Sequence, residues 1–547
     1  MDKTEKNTES HLVYSVDPGY QHEGALKGYG KEATQKTYDL NDYDPAKSTD
    51  ILTYTSTRMA KTVYNTYEDN DDFSIACYFT DWAQYDGRAV VPTPSDEVLK
   101  NQGGRGADLT RIKGDATNGS PFKKLIFSFV GIIGDKGPKG ETILSAAADW
   151  GLVSDKENIP EKYMGWPIPI DPWADASAYF NCGFESGAFD PYPTIYNQDK
   201  AKGLLGGFRE LQKADPNLEI SVSIGGWSMS GAFYDICRNN THRKQFVEGL
   251  KDLFNRFPMF NHIDIDWEYP GSAGMGNQFD KDDYIYYKKL IEEIKAANIA
   301  NLKGISIAAS GDPKKIDDAH VSELMAAGVT GINLMTYDFF TLGDGQLSHH
   351  TNLYRDKDDT YSKYSVDDAV QHLINKHKVD PKNIFIGYAG YTRNAKGTTI
   401  SSQSPLQGTY TGSGNVVGSF ESAVIEWTDV IYNYVDFENG TGRNGYEIIH
   451  DEIAQADYLY NEKLQVFMSL DTPRSVREKA RYVKEKGLGG LFIWSGDQDN
   501  GLLTNAAHEG LGRNVKHQVI DMSPFYFDDN NLPSYDKPKE PQCKDCV

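Results

Sequence analysis

Cysteine is scarce in this chain, and long apolar runs are missing. Five cysteines in 547 residues exclude a small scaffold held together by disulfides, so the fold must depend on a hydrophobic core. No apolar segment approaches the ~20 residues that a membrane-spanning helix needs. The pair Cys543-x-x-Cys546, in a charged and proline-rich tail, is only weak evidence for a metal or redox site. We therefore expect neither a metal nor a cofactor.

Positive charge is also in deficit. The chain has 56 lysines and arginines against 79 aspartates and glutamates, a formal net charge of −23. Such a balance excludes nucleic acid and anionic membranes as expected partners and suits a neutral polymer. Aromatic residues, by contrast, are plentiful, with 34 tyrosines. This surplus favours surfaces that stack against sugars, although tyrosine also fills cores and interfaces.

Eight short runs of β-branched and aromatic residues begin at residue 73 and alternate with helical patterns. Several runs lack polar alternation, which is typical of parallel strands covered on both faces. Eight such units predict an α/β fold, a (β/α)8 barrel, over a doubly wound sheet with fewer strands. The runs are Phe73–Phe79, Lys124–Gly131, Leu218–Gly226, His262–Glu268, Gly304–Ser310, Gly331–Tyr337, Asn383–Tyr391 and Leu488–Trp494.

Two of the helical patterns carry specific expectations. Apolar periodicity continues through Phe233–Arg256, which predicts one long helix. Pro473–Lys486 predicts another, with Thr472 as its N-cap and Gly487 after its end. We expect the basic residues between 479 and 486 to form the solvated face of that helix.

The chain divides into four parts by composition. Residues 1–70 are polar and predict an N-terminal extension, either an arm that docks on a partner or a strap on the barrel. Residues 71–392 and 467–515 supply the catalytic barrel. Residues 393–466 are too long for a plain loop and predict an inserted α+β domain between strands 7 and 8, in which Val430–Val435 forms a strand. Residues 516–547 form a C-terminal tail.

The most informative segment is 261–268, Asn-His-Ile-Asp-Ile-Asp-Trp-Glu. Side chains alternate along a strand, so Asp264, Asp266 and Glu268 share one face while the isoleucines and the tryptophan share the other. A solvated strand would tolerate three carboxylates, but the apolar opposite face demands burial. Buried like charges raise one another's pKa, which is what a carboxylic acid needs to hold its proton near neutral pH. Glu268, the last of the three, is the expected general acid.

Other polar and aromatic residues follow the strand ends, where barrel enzymes place their active sites. A serine and two glycines end the third run at Ser223-Ile-Gly-Gly226, and Met335-Thr-Tyr337-Asp338 ends the sixth. These side chains are expected to converge with the acids in one mouth. The candidate substrate contacts are Trp494, Met335, Asp338, Tyr391, Arg393, Ser223, Tyr78 and Phe129.

These motifs carry a family resemblance. Asp264-Ile-Asp266-Trp-Glu268 resembles the D-x-x-D-x-D-x-E signature of family 18 glycoside hydrolases, the chitinases. The Ser-x-Gly-Gly and Met-x-Tyr-Asp strand ends and the run to Trp494 resemble three further motifs, over about residues 73–512. The chain departs from the signature at its first position, which is Asn261 instead of aspartate, and at His262, which replaces a glycine. We expect Asn261 to be structural, because it lies deeper in the barrel.

The resemblance implies substrate-assisted catalysis with retention of configuration at β-1,4-linked N-acetylglucosamine polymers. The acetamido oxygen of the sugar attacks C1, while Asp266 accepts the acetamido N–H and Tyr337 steadies the acetamido oxygen. Asp264 is implied to share a proton with Asp266, with Ser223 bonded within that pair. Trp494 is implied to lie under the reacting sugar.

Two alternatives remain open at this level. A non-catalytic chitin-binding lectin shares the barrel but loses the acid or its aspartate partner, and here Glu268, Asp266 and Tyr337 are all present. An endo-β-N-acetylglucosaminidase acting on N-linked glycans shares the mechanism, although the insertion favours a linear polymer. The missing signal peptide and the polar extension resemble chitinase subunits of bacterial insecticidal toxin complexes. We therefore expect a secreted or extracellular protein without a recognisable signal peptide, with chitin oligosaccharides and toxin-complex subunits as partners.

Overall fold

A computed structural model describes residues 13–15 and 58–527, apart from 86–106, 115–118, 155–158, 180, 186, 356–362, 417–420 and 438. Eight parallel strands close into a barrel, because the first strand pairs with both the second and the eighth. The predicted fold class is confirmed. The strands are β1 (Ser74–Thr80), β2 (Lys124–Ile132), β3 (Glu219–Gly225), β4 (His262–Asp266), β5 (Gly304–Ser310), β6 (Gly331–Met335), β7 (Ile384–Ala389) and β8 (Gly490–Trp494).

The strand sequences explain which side chains line the barrel. In β6, Ile332 and Leu334 are fully buried against the helical layer, and Asn333 between them points to the barrel interior. The same alternation in β4 directs its isoleucines outward and its acids inward. Polar side chains therefore collect on the inner face of the barrel while its outer face packs on helices.

The helices surround this barrel. The predicted helix Phe233–Arg256 is wrong in one respect, because it is two helices. Asn239 ends the first and caps the second, where its side chain accepts hydrogen bonds from the backbone N–H groups of Thr241 (2.8 Å) and His242 (3.2 Å). The main helices are Gly140–Asp149, Gly203–Ala214, Phe233–Arg238, Asn240–Arg256, Asp283–Ala296, Pro313–Asp318, Val321–Ala327, Val366–Asn375, Pro473–Lys486 and Leu502–Gly510.

The helix Pro473–Lys486 has the predicted caps. Thr472 accepts a hydrogen bond from the N–H of Ser475, and Gly487 closes the helix in the left-handed conformation (φ 64°). The expectation of a wholly solvated basic face is wrong, because Lys479 is fully buried. Its ammonium donates to both carboxylate oxygens of Asp471, each at 2.8 Å. Burial of that lysine is possible because its charge is paired.

A second, antiparallel sheet stands between β7 and β8. A small hydrophobic core packs against this sheet and includes Phe340, Tyr458 and Phe467. The segment Val430–Val435, predicted as a strand, instead forms a π-helical turn at Val430–Tyr434, which packs into the main core through Val430, Ile431 and Tyr434. The sheet order is Gly412–Ser413, Thr392–Lys396, Val466–Leu470, Ala456–Asn461 and Glu447–Asp451.

Residues 60–67 of the N-terminal extension lie on the barrel as a strap, and Val13–Ser15 pairs with Arg58–Ala60 at its start. Val63 and Asn65 are buried, and the Asn65 side chain accepts from the N–H groups of Val519 (2.7 Å) and Ile520 (2.9 Å). Thr66–Tyr67 pairs with Val515–His517, so this strap also fixes the start of the C-terminal tail. Residues 16–57 and 528–547, including Cys543 and Cys546, lie outside the described residues.

Membrane insertion finds no support in the helices. Of the helices in the described ranges, none is both long and apolar enough to cross a bilayer.

Candidate active site

The acid row lies at the carboxyl end of β4, inside the barrel mouth. Asp264, Asp266 and Glu268 are all buried, with 0%, 4% and 7% of their surface exposed. On the opposite face of the same segment, Trp267 stacks on Phe233 at 5.4 Å between ring centroids. Alternation thus brings three carboxyl groups together in a region with little access to water, where each ionised form is costly.

Asp264, the deepest of the three, is held by four neutral donors. Its Oδ2 accepts from Tyr78 Oη and Ser223 Oγ, each at 2.8 Å. Its Oδ1 accepts from Ser306 Oγ (2.6 Å) and Asn333 Nδ2 (3.0 Å). Burial raises the pKa of Asp264, and these hydrogen bonds reduce the rise because they favour the carboxylate. Among the described residues no hydrogen bond joins Asp264 to Asp266, so the expected shared proton stays a prediction.

Asp266 differs sharply from its neighbour. Its Oδ1 is buried and has no hydrogen-bond partner among the described residues. Burial, followed by the charges of Glu268 and Asp264, raises the pKa of Asp266 well above its usual value. A buried carboxyl oxygen without a donor costs free energy unless a ligand supplies the donor. Oδ1 of Asp266 can therefore accept a hydrogen bond from a ligand in the cleft.

Glu268 follows β4 and has the pKa of an acid that works near neutrality. Burial raises its pKa to about 7, although a hydrogen bond with Tyr269 and the charge of Lys315 oppose the rise. The charge of Asp338 acts in the same direction as burial. The Lys315 ammonium lies 3.6 Å from the Tyr269 ring centroid, on the side of the site formed by β5. A protonated Glu268 can give its proton to a leaving group.

The Ser223-x-Gly-Gly motif lets β3 approach β4 closely. Gly225 has φ +108°, and a Cβ built on it would lie 2.3 Å from the carbonyl oxygen of Asp266. Ser230 then ties the two strand ends together, because its hydroxyl donates to the Gly226 carbonyl (2.9 Å) and accepts from the Glu268 N–H (2.9 Å). Gly225 is thus required by contact with the backbone that carries the acids.

A clamp of three side chains borders the acids on the β6 and β7 side. Asp338 Oδ1 accepts from Tyr391 Oη and Arg393 Nε, each at 2.7 Å. Burial opposes the ionised form of Asp338, but the charge of Arg393 outweighs it and holds the pKa of Asp338 well below its usual range. Tyr337 packs edge-on against Tyr391 at 6.3 Å. Burial and the charge of Asp266 raise the pKa of Tyr337 well above its usual value, so its hydroxyl keeps its proton.

An aromatic platform covers the other side of the mouth. The ring of Trp494, at the end of β8, stacks on Phe129 at 5.4 Å with 28° between the planes. Tyr78 meets Trp494 edge-on at 5.8 Å, and the partly exposed Trp82 does so at 6.4 Å. Aromatic faces of this kind are suited to the apolar face of a sugar ring.

The twelve residues predicted from the sequence lie from the middle of the barrel strands to the segments after them, with Asp264 central in β4, Met335 ending β6 and Arg393 in the strand Thr392–Lys396. Ser223 and Tyr78 contact Asp264 and lie below the cleft floor. Sequence reasoning missed Ser306 and Asn333, which complete the bonds to Asp264, and Tyr269 and Lys315, which adjoin Glu268. The available signal for the first two was their inward position as polar residues on β5 and β6, where Ser306 pairs directly with Asp264.

Asn261 has the structural role expected of it. Its Oδ1 accepts from the N–H of Ile220 (3.0 Å) and lies 2.8 Å from Nδ1 of His262. Burial, together with the charge of Lys124, lowers the pKa of His262 to about 4. Both residues are remote from the acids, at the opposite end of β4.

The family follows from comparison with known proteins. Residues 74–499 match the family described as Glycosyl hydrolases family 18. The chain belongs to this family. Chitinase 1 of Yersinia entomophaga is 57% identical to this family 18 chain over 547 residues, which cover 99% of both chains. Chitinase 2 of the same organism is 38% identical over 523 residues, covering 90% of this chain and 80% of that protein.

A solved structure also resembles this family 18 enzyme closely. The crystal structure of a chitinase fitted into the Yersinia entomophaga toxin complex superposes with a TM-score of 0.85 at 57% sequence identity. The match covers 95% of this chain and 100% of the solved chain. The family and these relatives show that the protein is a glycoside hydrolase.

Proposed function

We propose that the protein is a chitinase that hydrolyses β-1,4 linkages between N-acetylglucosamine units with retention of configuration. The observation that carries the proposal is that one site combines two features. The pKa of Glu268 is raised to about 7, and the buried Oδ1 of Asp266 has no hydrogen-bond partner among the described residues. One group is ready to give a proton, and the other is ready to accept an N–H. An N-acetylated sugar supplies both the leaving oxygen and the amide N–H.

The reaction begins with protonation of the scissile oxygen. Glu268 donates its proton to that oxygen as the bond to C1 breaks. The acetamido oxygen of the same sugar attacks C1 and forms a cyclic oxazolinium ion, while Asp266 accepts the acetamido N–H and spreads its positive charge. Tyr337, which keeps its hydroxyl proton, donates to the acetamido oxygen before attack and aligns it.

The second half of the reaction returns the enzyme to its starting state. Glu268, now ionised, removes a proton from water as that water attacks C1 on the face that the leaving group vacated. The C1–oxygen bond of the oxazolinium ion breaks, and the acetamido group is restored. Two inversions give net retention. Asp264, already bonded to four donors, acts on Asp266 through its charge, which helps to raise the pKa of Asp266.

The walls of the cleft support a linear polysaccharide as substrate. Trp494 and Phe129 offer a stacked aromatic floor, and the partly exposed Trp82 continues it outward. Tyr391 packs with Val424 of the inserted region, so the insertion forms one wall of the mouth. Successive aromatic faces beside the acids suit the repeated pyranose rings of a linear polysaccharide.

The proposal is tested with Glu268→Gln. Glutamine keeps the shape of the side chain but has no proton to transfer. The rate of hydrolysis of a chitin tetramer should therefore fall by ~10²–10⁴-fold. Binding of the tetramer, measured by calorimetry, should persist. Turnover at the wild-type rate would refute the assignment of the acid. Parallel assays on a high-mannose glycopeptide distinguish an endo-β-N-acetylglucosaminidase, and oligomer binding without any hydrolysis by the wild type would indicate a lectin.

We also infer that the enzyme works outside the cell as a subunit of a toxin complex. The support is the 57% identity to a chitinase that was fitted into such a complex, over 95% of this chain. The strap at residues 60–67 belongs to the barrel, so the segment to test for docking is residues 1–57. A chain lacking residues 1–57 should hydrolyse oligomers normally and lose co-purification with partner subunits. Unchanged co-purification would refute a docking role for this segment.

A further inference from the structure

Three side chains that bind transition metals meet on the outer wall of the barrel, away from the cleft. Asp317 lies in the last turn of the short helix after β5, His372 lies in the helix after β6, and His377 follows that helix. Asp317 Oδ1 is 2.8 Å from His372 Nε2 and 2.9 Å from His377 Nε2. The three ligand atoms all lie within 4.8 Å of one another.

We propose that Asp317, His372 and His377 form a binding site for a divalent transition metal of the Zn²⁺, Co²⁺ or Ni²⁺ type. Imidazole nitrogen favours these metals, whereas Mg²⁺ and Ca²⁺ favour oxygen ligands. Two histidines and one carboxylate, with water in the fourth position, are a common ligand set of open zinc sites. No sequence motif indicates this site, because Asp317 is 55 residues from His372.

The distances between the ligand atoms suit such an ion. Zinc bonds to histidine nitrogen and carboxylate oxygen are about 2.0–2.2 Å, so neighbouring ligands of a tetrahedral site lie ~3.3 Å apart. The observed separations of 2.8 and 2.9 Å need to widen by only a few tenths of an ångström. The two imidazole rings do not stack, since their planes are 53° apart and their centroids are 5.4 Å apart. Each ring has its Nε2 within 3 Å of the same carboxylate oxygen, Oδ1 of Asp317.

Neighbouring groups hold these ligands in the orientation that coordination needs. Ser322 Oγ lies 3.1 Å from Nδ1 of His377, which leaves Nε2 facing the centre of the cluster. Metal-binding histidines usually have their second ring nitrogen anchored in this way. The ammonium of Lys376 donates to Oδ2 of Asp317 at 2.7 Å and orients the carboxylate, so Oδ1 remains for the metal.

The site is partly accessible and joins two separate elements of the barrel wall. The side chains of His377, His372 and Asp317 are 8%, 19% and 33% exposed, so an ion can enter from solvent. A bound metal would fasten the helix Pro313–Asp318 to the end of the helix Val366–Asn375. The first of these helices also carries Lys315, which lies over Tyr269 beside the general acid. Metal binding should therefore stabilise the wall behind Glu268.

The experiment is a titration of the full chain with Co²⁺, followed by its visible absorption, and with Zn²⁺, followed by calorimetry. The background carries Cys543→Ser and Cys546→Ser, so that the tail thiols do not contribute. We expect one ion per chain, loss of this binding in Asp317→Asn/His377→Gln, and ~10–100-fold weaker binding in Ser322→Ala. The matched control is His242→Gln, which removes a histidine outside the cluster that lies 3.2 Å from Glu161. This variant should bind the ion as tightly as the background protein does.

Thermal unfolding gives an independent measurement. Zn²⁺ should raise the melting temperature of the background protein and of His242→Gln but not that of the double variant, whose oligosaccharide hydrolysis without metal shows that it is folded. Binding of equal strength in the double variant, or equal binding of Mg²⁺, would overturn the proposal. Undiminished ion binding in a second double variant, Ser322→Ala with His372→Gln, would also overturn the proposal.

Discussion

Two clusters of buried charge lie near the carboxyl ends of the barrel strands, and they differ in how their charge is balanced. Asp471 accepts from the Lys479 ammonium with both oxygens, and also from Ser475 Oγ (2.7 Å) and the N–H of Ala389 (2.9 Å). Asp266 is also buried, but its Oδ1 has no partner among the described residues, and its closest ionisable neighbours are acids. The first cluster is complete within the protein, whereas the second needs a ligand.

The difference separates stability from function. The buried ion pair of Lys479 and Asp471 joins the helix Pro473–Lys486 to Ala389 at the end of β7. Its hydrogen bonds are supplied by the protein itself, so it needs no ligand. An incomplete carboxyl cluster stores unfavourable electrostatics in the folded protein, which a substrate with the right donors can relieve. Changes in the two clusters should therefore have opposite signatures, one in unfolding and the other in turnover.

The largest expected effect is on stability, in Lys479→Met. This change leaves the Asp471 carboxylate buried without its cation, which typically costs about 3–5 kcal/mol. Urea unfolding of the variant measures the loss, and Lys484→Met, at an exposed position of the same helix, is the matched control. At a temperature where the variant is folded, its kcat on chitin oligomers should match the wild type. A loss below about 1 kcal/mol would contradict the claim that this pair supports the fold.

Asp266→Asn should give the reverse result. Asparagine keeps the size of the side chain but removes the charge that stabilises the oxazolinium ion, so kcat should fall by ~10²–10³-fold. The unfolding free energy should stay the same or rise, because a buried carboxylate without a partner has been removed. Steady-state kinetics and urea unfolding on one preparation measure both. Marked destabilisation with normal turnover would show that Asp266 is structural, like Asp471.

A smaller effect is expected from the pH dependence of Glu268. Its folded pKa is about 7 against an ordinary 4.5, so kcat/KM should decline as pH rises through about 7 and the acid loses its proton. The folded state binds more protons than the unfolded state between these values, so the stability from this group also falls as pH rises from 4.5 to 7. Glu268→Gln should abolish that part of the pH dependence of unfolding.

Lys315→Met sharpens this pH prediction. The lysine charge lowers the pKa of Glu268, so its removal should move the alkaline limb of kcat/KM to higher pH. Lys314→Met is the matched control, because the neighbouring side chain is exposed and pairs with Asp318 (2.6 Å) instead. A limb that moves to lower pH, or moves equally in both variants, would contradict the assigned interaction.

The sequence predicted the barrel well because its strands are continuous apolar runs, and it predicted the acid row because alternation on β4 leaves no other arrangement. It did not reveal two of the four donors to Asp264, since Ser306 and Asn333 are isolated polar residues on strands that are far from Asp264 in sequence. Lys479 looked like part of a solvated basic face, and only its contact with Asp471 explains its burial. The break at Asn239 was missed because the apolar period continues across it. Ser306 and Asn333 reach Asp264 only because the barrel closes, whereas Lys479 and Asn239 depend on local hydrogen bonds that the pattern of apolar residues does not reveal.

The most direct test of the account compares two tetramers of equal length, one of N-acetylglucosamine and one of glucosamine, followed by proton NMR from the first seconds of digestion. If Asp266 is incomplete because it awaits an acetamido N–H, the acetylated tetramer should be cleaved with the β-anomer appearing first. The glucosamine tetramer should remain intact, because it has no acetamido group to attack C1. Rapid cleavage of the glucosamine tetramer, or initial release of the α-anomer, would contradict substrate-assisted catalysis at this site.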